Sequence, residues 1–203
     1  MSALPVMLDG ERVSALVVGG GAVATRKVRA LLESGAAVRV VAPRVTLEMR
    51  TLVAGAERAR LLERGFNPGD VEGASLVFAA TDDRVVNAEV ARAASAAGRL
   101  VNVADAPADG TFVTAAVHRS GDLVIAVTAG GVPGAAARVR DAIAARFDAR
   151  YASAVRSLAT LRRTLLDRDD RARWQQADDV LLGDGFCDAV EQGRLEGEVA
   201  RWA

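Results

Sequence analysis

Cysteine and histidine are almost absent from this sequence, since Cys187 and His118 are the single examples in 203 residues. One cysteine cannot form an intrachain disulfide, and one cysteine with one histidine cannot build a Cys/His zinc cluster. We therefore predict no resident metal ion. A single unpaired cysteine is also typical of proteins from a reducing compartment.

An excess of charge and long apolar runs are missing as well. The 26 basic residues balance 26 acidic ones, so no overall field attracts nucleic acid or an anionic membrane. The chain has no stretch of about 18 uninterrupted apolar residues, and residues 1–10 lack the pattern of a signal peptide. We therefore expect a cytoplasmic protein whose partner is a small molecule, with no nucleic acid and no membrane.

Aromatic residues are scarce too, at 4% of a chain that is 51% apolar. Alanine, valine and leucine must therefore form most of the core. That composition suits a buried parallel sheet flanked by close-packed helices.

The first forty residues predict one βαβ unit. Residues 13–18 are an apolar run rich in β-branched side chains that ends on three glycines, as a buried strand does before a tight turn. Apolar residues then repeat at helical spacing up to Gly35, and residues 38–41 form a second apolar run.

Later segments extend this pattern and then change it. Strands are predicted at residues 59–62, 76–80 and 100–104, and the last two enclose a helix that starts after Thr81. Residues 112–117 and 123–127 then predict two strands joined by a short link. Such a link makes a hairpin, because a parallel pair needs a long crossover.

A helical tail follows, in which an apolar stripe runs from Tyr151 to Leu165 at spacings of three and four. The sequence thus predicts an α/β fold with a Rossmann-type parallel sheet in residues 1–110. It also predicts a dimerisation segment, made of a hairpin and a helix, in residues 111–147. A small α-helical domain is predicted in residues 148–203. The stripe is either core or the seam of a homodimer, and we expect a homodimer.

The glycine loop between the first strand and helix has the pattern G-x-G-x-x-A of dinucleotide-binding proteins. Gly19 would permit the tight turn, Gly21 would let a pyrophosphate approach the backbone, and Ala24 would keep helix and strand close. The helix N-terminus supplies amides and partial positive charge for phosphates. The alternative, a glycine turn without a ligand, is disfavoured by the flanking periodicity.

The acidic residue that usually follows the second strand is missing. In its place Val41 runs into Ala42, Pro43 and Arg44, whereas an Asp or Glu would bind the adenosine ribose of NAD. Arg44 would instead hold the 2′-phosphate of NADP, or it is an ordinary solvated arginine. The residues alone leave the choice between NAD and NADP open.

Asp105 directly follows the predicted strand 100–104 and so lies at the carboxyl edge of the sheet, where ligands of such folds bind. A carboxylate there would act as a general base or a metal ligand. The alternative is that Asp105 caps the turn made by Ala106 and Pro107.

Five segments of the chain resemble one family in order and spacing. They are Leu4-Pro5-Val6-Met7-Leu8, the loop at residues 17–24 with Arg26-Lys27, Ala80-Thr81-Asp82-Asp83 with Asn87, residues 102–107, and Gly130-Gly131 before Pro133. Together they resemble the precorrin-2 dehydrogenase family of siroheme synthesis, which also forms the front half of siroheme synthase. The resemblance covers most of residues 3–147.

This resemblance implies oxidation of precorrin-2 to sirohydrochlorin with NAD as the cofactor. Asp105 matches the essential aspartate, which would take a proton from the macrocycle. Some members also insert Fe²⁺ into sirohydrochlorin, so Fe²⁺ is an additional candidate substrate. The residues that correspond to the family's cofactor site are Gly19, Gly21, Ala22, Val23, Ala24, Pro43, Arg44 and Thr81.

Two other functions stay open at this stage. One is an NAD(H)-sensing regulatory module, which shares the Rossmann unit but needs no catalytic aspartate. The other is an NADP-dependent dehydrogenase of another small molecule, in which Arg44 holds the 2′-phosphate.

Overall fold

The computed structural model describes residues 4–203, so the first three residues of the predicted domain 1–110 lie outside the described residues. The chain divides into two compact units, the first ending at Thr114 and the second spanning Ala115–Ala203. The hairpin and the C-terminal helices belong to the same unit. A domain boundary near residue 147 stays a prediction.

The first unit contains a five-stranded parallel sheet in the order β3-β2-β1-β4-β5. This is the order of the first five strands of a Rossmann sheet, with the two halves meeting between β1 and β4. Its strands are β1 (Ser14–Val18), β2 (Ala37–Val41), β3 (Ala59–Leu62), β4 (Leu76–Ala79) and β5 (Leu100–Val103).

Three α-helices follow strands of this sheet. They are α1 (Ala22–Glu33), α2 (Leu47–Ala54) and α3 (Arg84–Ala96), and short 3₁₀ turns lie at Gly10–Arg12, Pro68–Val71 and Pro107–Asp109. Sequence reasoning missed α2, because its eight residues bury only Met49 and Val53 and so give little periodicity. Thr46 caps it by accepting a hydrogen bond from the Met49 amide at 3.2 Å.

Alternate residues of the strands face two apolar clusters on opposite sides of the sheet. Val17, Val40 and Phe78 pack on the side of α1 and α2, whereas Val77 and Val101 pack on the side of α3. Burial of each such side chain stabilises the fold by about 1.5 to 3 kcal/mol. The central strands are therefore fixed firmly, and their carboxyl ends can hold a site in place.

The second unit begins with an antiparallel hairpin of β6 (Ala116–Ser120) and β7 (Leu123–Val127). The prediction that the first hairpin strand starts at residue 112 is wrong, because that stretch belongs to the first unit. The Thr111 amide donates to the Val101 carbonyl at 2.8 Å, and the Phe112 ring packs edge-on against Phe78 at 5.3 Å.

Five helices complete the second unit: α4 (Pro133–Arg146), α5 (Ala149–Asp167), α6 (Arg171–Leu181), α7 (Phe186–Glu191) and α8 (Leu195–Ala200). The apolar stripe lies on α5, where Tyr151, Leu158, Leu161 and Leu165 are buried in a cluster with side chains of α6, α7 and α8. The stripe is thus covered within the chain, so of the two alternatives left open by the sequence it forms core.

The predicted fold class is confirmed: a Rossmann-type parallel sheet is followed by a hairpin and a helical C-terminal part. Among residues 4–203, no helix has the length and apolar character needed to cross a bilayer.

Candidate functional site

The glycine loop lies between the end of β1 and the start of α1, pressed against two other strand ends. A Cβ added to Gly19 would lie 2.3 Å from the Ala80 carbonyl oxygen, and one on Gly20 would lie 2.1 Å from the Arg44 carbonyl oxygen. Gly19 also has a φ of 133°, a region that side-chain-bearing residues rarely adopt. The first two glycines are therefore required by close backbone packing.

Gly21 differs from its two neighbours, because a Cβ there would meet nothing within 4 Å. Gly21 is the N-cap of α1, and no side chain caps the helix by a hydrogen bond. The amides of the first turn, at Ala22 and Val23, therefore lie at an open helix N-terminus with its partial positive charge. This arrangement binds phosphate in many proteins.

A cleft of about 600 Å³ opens above this loop, at the carboxyl ends of β1, β2 and β4. Five predicted cofactor residues line it: Gly19, Gly21, Pro43, Arg44 and Thr81. The other three belong to α1, where Ala22 and Val23 begin the helix and Ala24 is fully buried behind the loop. Ala24 therefore packs the helix against the sheet, the position that sequence reasoning predicted for it.

The charged side chains that line the cleft are Arg44 after β2, and Asp82 and Asp83 after β4. No acidic side chain of the described residues lines it at the end of β2. The wall of the cleft just after β2 is formed by residues that include Pro43 and Arg44.

Asp105 lies just beyond the end of β5 and does not line this cleft. Its Oδ1 accepts a hydrogen bond from Asn87 Nδ2 at 2.8 Å, and its Oδ2 lies 3.5 Å from Nε of the exposed Arg84. The side chain is 31% exposed. Asp105 is therefore held at one oxygen, while the other faces the solvent-exposed guanidinium of Arg84.

Asn87 connects Asp105 to the wall of the cleft. Its Oδ1 accepts from the Thr81 amide at 3.1 Å and from the Thr81 hydroxyl at 2.8 Å, and its Nδ2 donates to the Thr81 carbonyl at 3.2 Å. The residue is 1% exposed. One buried amide thus ties the segment after β4 to the carboxylate after β5.

Sequence reasoning assigned no role to Asn87, although a signal was present. Asn87 lies three residues before Val90 and seven before Ala94, on the buried face of α3. A polar side chain on such a face needs hydrogen-bond partners, and these are Thr81 and Asp105.

A second polar pair lies on the other side of β5. Lys27 on α1 donates from Nζ to Oδ1 of the buried Asn102 at 2.7 Å, and its ammonium lies 5.2 Å from the centre of the Phe78 ring. Burial, with the charge of Arg26 as a smaller cause, lowers the pKa of Lys27. The pair fixes α1 against the strand that leads to Asp105.

Residues 6–116, more than half of the chain, match the model of a family described as NAD(P)-binding. The chain belongs to this NAD(P)-binding family. The glycine loop, the cleft and Asp105 all fall within the matched residues.

Siroheme synthases are among the curated relatives. The chain is 49% identical to the siroheme synthase of Pseudomonas paraeruginosa over 133 residues, which are 64% of this chain and 28% of the relative. It is 41% identical to that of Pseudomonas entomophila over 195 residues, or 96% of this chain and 40% of the relative. The chain therefore spans well under half the length of these relatives.

A solved structure of SirC, a precorrin-2 dehydrogenase, matches nearly the whole chain. The TM-score is 0.78 at 28% identity, and the match covers 98% of this chain and 100% of SirC. The resemblance inferred from the sequence motifs is thus confirmed. Among the described residues, no group of three or more His, Cys, Asp or Glu side chains is placed to hold a metal ion.

Proposed function

We propose that this protein is a precorrin-2 dehydrogenase that oxidises precorrin-2 to sirohydrochlorin with NAD⁺. The observation that carries the proposal is the cleft beside the glycine loop, which a buried amide joins to a partly exposed carboxylate at the next strand end. The likeness to SirC and to siroheme synthases supports the choice of substrate.

The residues of the cleft fit a dinucleotide. Gly21 leaves open space where a pyrophosphate would rest, and the uncapped N-terminus of α1 offers the amides of Ala22 and Val23 to it. Pro43 and Arg44 would lie beside the adenosine, with Thr81 on the opposite wall. NAD⁺, when bound, supplies the hydride acceptor.

Asp105 would act as the general base. Oxidation of precorrin-2 by NAD⁺ removes two electrons and two hydrogens from the macrocycle, one as a hydride and one as a proton. NAD⁺, when bound, would accept the hydride, and Asp105 Oδ2 would take the proton and release it to solvent. The carboxylate suits this role because it is 31% exposed and is held by hydrogen bonding at its other oxygen.

A regulatory NAD(H)-sensing module is the alternative that the cleft alone would allow. Such a module has no use for a carboxylate held in place by a buried amide, so Asp105 favours the enzyme. The two are distinguished by Asp105→Asn, which a sensor would tolerate in every respect.

We also propose that the protein is a homodimer, joined through the hairpin and α4 rather than α5. Within α4 only Ala136 is buried. Val139 of this helix is 48% exposed, and Val132, which precedes the helix, is 58% exposed. These exposed valines suit a contact with a second copy. A monomeric mass in solution at micromolar concentration would contradict this contact.

Insertion of Fe²⁺ as a second substrate stays a prediction from the resemblance.

Anaerobic incubation of the purified protein with precorrin-2 and NAD⁺ tests the proposed function. We expect the absorption spectrum of sirohydrochlorin to develop together with NADH. Absence of product at any enzyme concentration would refute it.

A further inference from the structure

We infer that Asn87 is a positioning residue for Asp105, setting which carboxylate oxygen is free to react. This inference rests on the proposed function, since it assigns a task to Asn87 within that reaction. Asn87 would touch neither substrate nor cofactor and would act only through the two residues that it joins.

The hydrogen bonds of Asn87 show how it would do this. Both of its side-chain atoms are fully used: Oδ1 accepts twice from Thr81, and Nδ2 donates to the Thr81 carbonyl and to Asp105 Oδ1. Because the amide has no spare donor or acceptor and is 1% exposed, it cannot rotate without losing bonds in a site closed to water.

The fixed amide has a direct consequence for the carboxylate. A charge-assisted bond from Nδ2 holds Oδ1, so Oδ2 is the oxygen left for the substrate. Arg84, the other neighbour of Asp105, cannot supply this fixation, since its side chain is 86% exposed and its Nε lies 3.5 Å away.

The same amide also relates Asp105 to the cofactor cleft. Thr81 lines that cleft and its segment lies directly against Gly19, as the clash of a Cβ on Gly19 with the Ala80 carbonyl shows. A base fixed relative to the cleft wall is fixed relative to the hydride acceptor. Loss of that alignment lowers the rate of chemistry more than it lowers binding.

The variant Asn87→Asp tests this inference. It keeps an oxygen that can accept from the Thr81 amide and hydroxyl, but it replaces the donor to Asp105 by a second carboxylate. We expect kcat for precorrin-2, measured at saturating NAD⁺, to fall about 10- to 100-fold, as expected for loss of a hydrogen bond to a charged group. The Kd for NAD⁺ should stay within about threefold of the wild-type value, because the two hydrogen bonds from Thr81 to Oδ1 can still form.

Two further variants keep the test decisive. Asn87→Ser removes the whole amide, and with it the Nδ2 donor to Asp105, without adding charge, and it serves if the paired carboxylates prevent folding. Val90→Ala is the matched control, because Val90 is fully buried on the same helix, does not line the cleft and has no group that could hydrogen-bond to Asp105. This variant should lower the free energy of unfolding by removing packing on α3, and it should leave kcat within about twofold of the wild-type value.

The outcomes separate the two proposals. A fall in kcat confined to the Asn87 variants supports the positioning role. An unchanged kcat, an effect only on the Kd for NAD⁺, or an equal fall in Val90→Ala would overturn it while the proposed function stands. A wild-type protein without turnover would overturn the proposed function, and the role of Asn87 with it.

Discussion

Gly21→Ala is the substitution that most sharply separates a binding role of the glycine loop from a structural one. Gly21 has a φ of −86° and a ψ of −175°, which alanine adopts without strain. Its Cβ would meet no atom of the described chain within 4 Å. The new methyl group would occupy the space that we assign to the pyrophosphate.

The expected effect on folding is small because two terms of opposite sign nearly cancel. Replacing glycine restricts the unfolded chain and stabilises the fold by about 0.4 to 1 kcal/mol. Alanine is a poorer N-cap than glycine, which costs up to about 1 kcal/mol. The free energy of unfolding should therefore change by less than about 1 kcal/mol, and Tm by no more than about 4 °C.

The expected effect on the cofactor is large. A methyl group at Gly21 would push the pyrophosphate away from the amides of α1, and each hydrogen bond to a charged group contributes about 1.5 to 3 kcal/mol. Loss of even two weakens NAD⁺ binding at least about 100-fold. Calorimetric titration with NAD⁺ and circular dichroism melting measure the two effects separately.

Gly20→Ala is the matched contrast. Its Cβ would lie 2.1 Å from the Arg44 carbonyl oxygen, so the backbone must shift and overpacking should cost about 1 to 3 kcal/mol. We expect a lower Tm for Gly20→Ala and a nearly unchanged Tm for Gly21→Ala. A Gly21→Ala protein that binds NAD⁺ as tightly as the wild type would refute our placement of the pyrophosphate.

Two other substitutions test the account elsewhere in the first unit. Arg44→Ala should weaken NADP⁺ binding about tenfold by removing a charge beside the 2′-phosphate, and should leave the Kd for NAD⁺ within about threefold; a large loss of NAD⁺ affinity would contradict this. Asp70→Asn should lower the free energy of unfolding by about 1 to 3 kcal/mol near neutral pH, because Asp70 is buried and accepts from Arg64 at 2.8 Å and from the Asn67 amide at 2.9 Å. These bonds, chiefly that from Arg64, lower the pKa of Asp70. Its stabilising contribution is thus present above the unfolded value of about 3.9 and is lost as the pH falls through the folded pKa. Urea unfolding at several pH values should show the difference between Asp70→Asn and wild type shrink below about pH 4, and a constant difference would contradict the assignment.

Much of the fold could be predicted because its signals are local. The strand at Ala59–Leu62 was expected at the same residues, and β1 lies within one residue of the expected range. Residues 13–18 form an apolar run that ends on glycine, and such a run defines the buried strand β1 without any tertiary information. The glycine loop was predictable for the same reason.

The errors arose where tertiary contacts decide the structure. Residues 112–114 are aromatic or β-branched, as is typical of a strand, but Phe112 packs against Phe78 of the sheet instead. The stripe on α5 is apolar whether it meets a second copy or its own chain, and only the packing of α6, α7 and α8 shows which. Periodicity gives the face of a helix but not its partner.

The candidate site was predicted in part. The sequence indicated Gly21, Arg44 and Asp105 separately, because each has a motif or a strand end beside it. The bond from Asn87 to Asp105 spans 18 residues and follows no sequence motif with a known mechanism. Such links between strand ends become visible only when the sheet is assembled.

The most direct test of the central claim is the yield of sirohydrochlorin from precorrin-2 and NAD⁺ under anaerobic conditions, with wild type compared with Asp105→Asn. We predict equal amounts of sirohydrochlorin and NADH from the wild type. We predict at least a 100-fold lower kcat for Asp105→Asn, on the order expected for loss of a general base, with NAD⁺ binding unchanged because Asp105 does not line the cleft. A wild type that binds NAD⁺ but forms no sirohydrochlorin, or an Asp105→Asn protein as active as the wild type, would contradict the account.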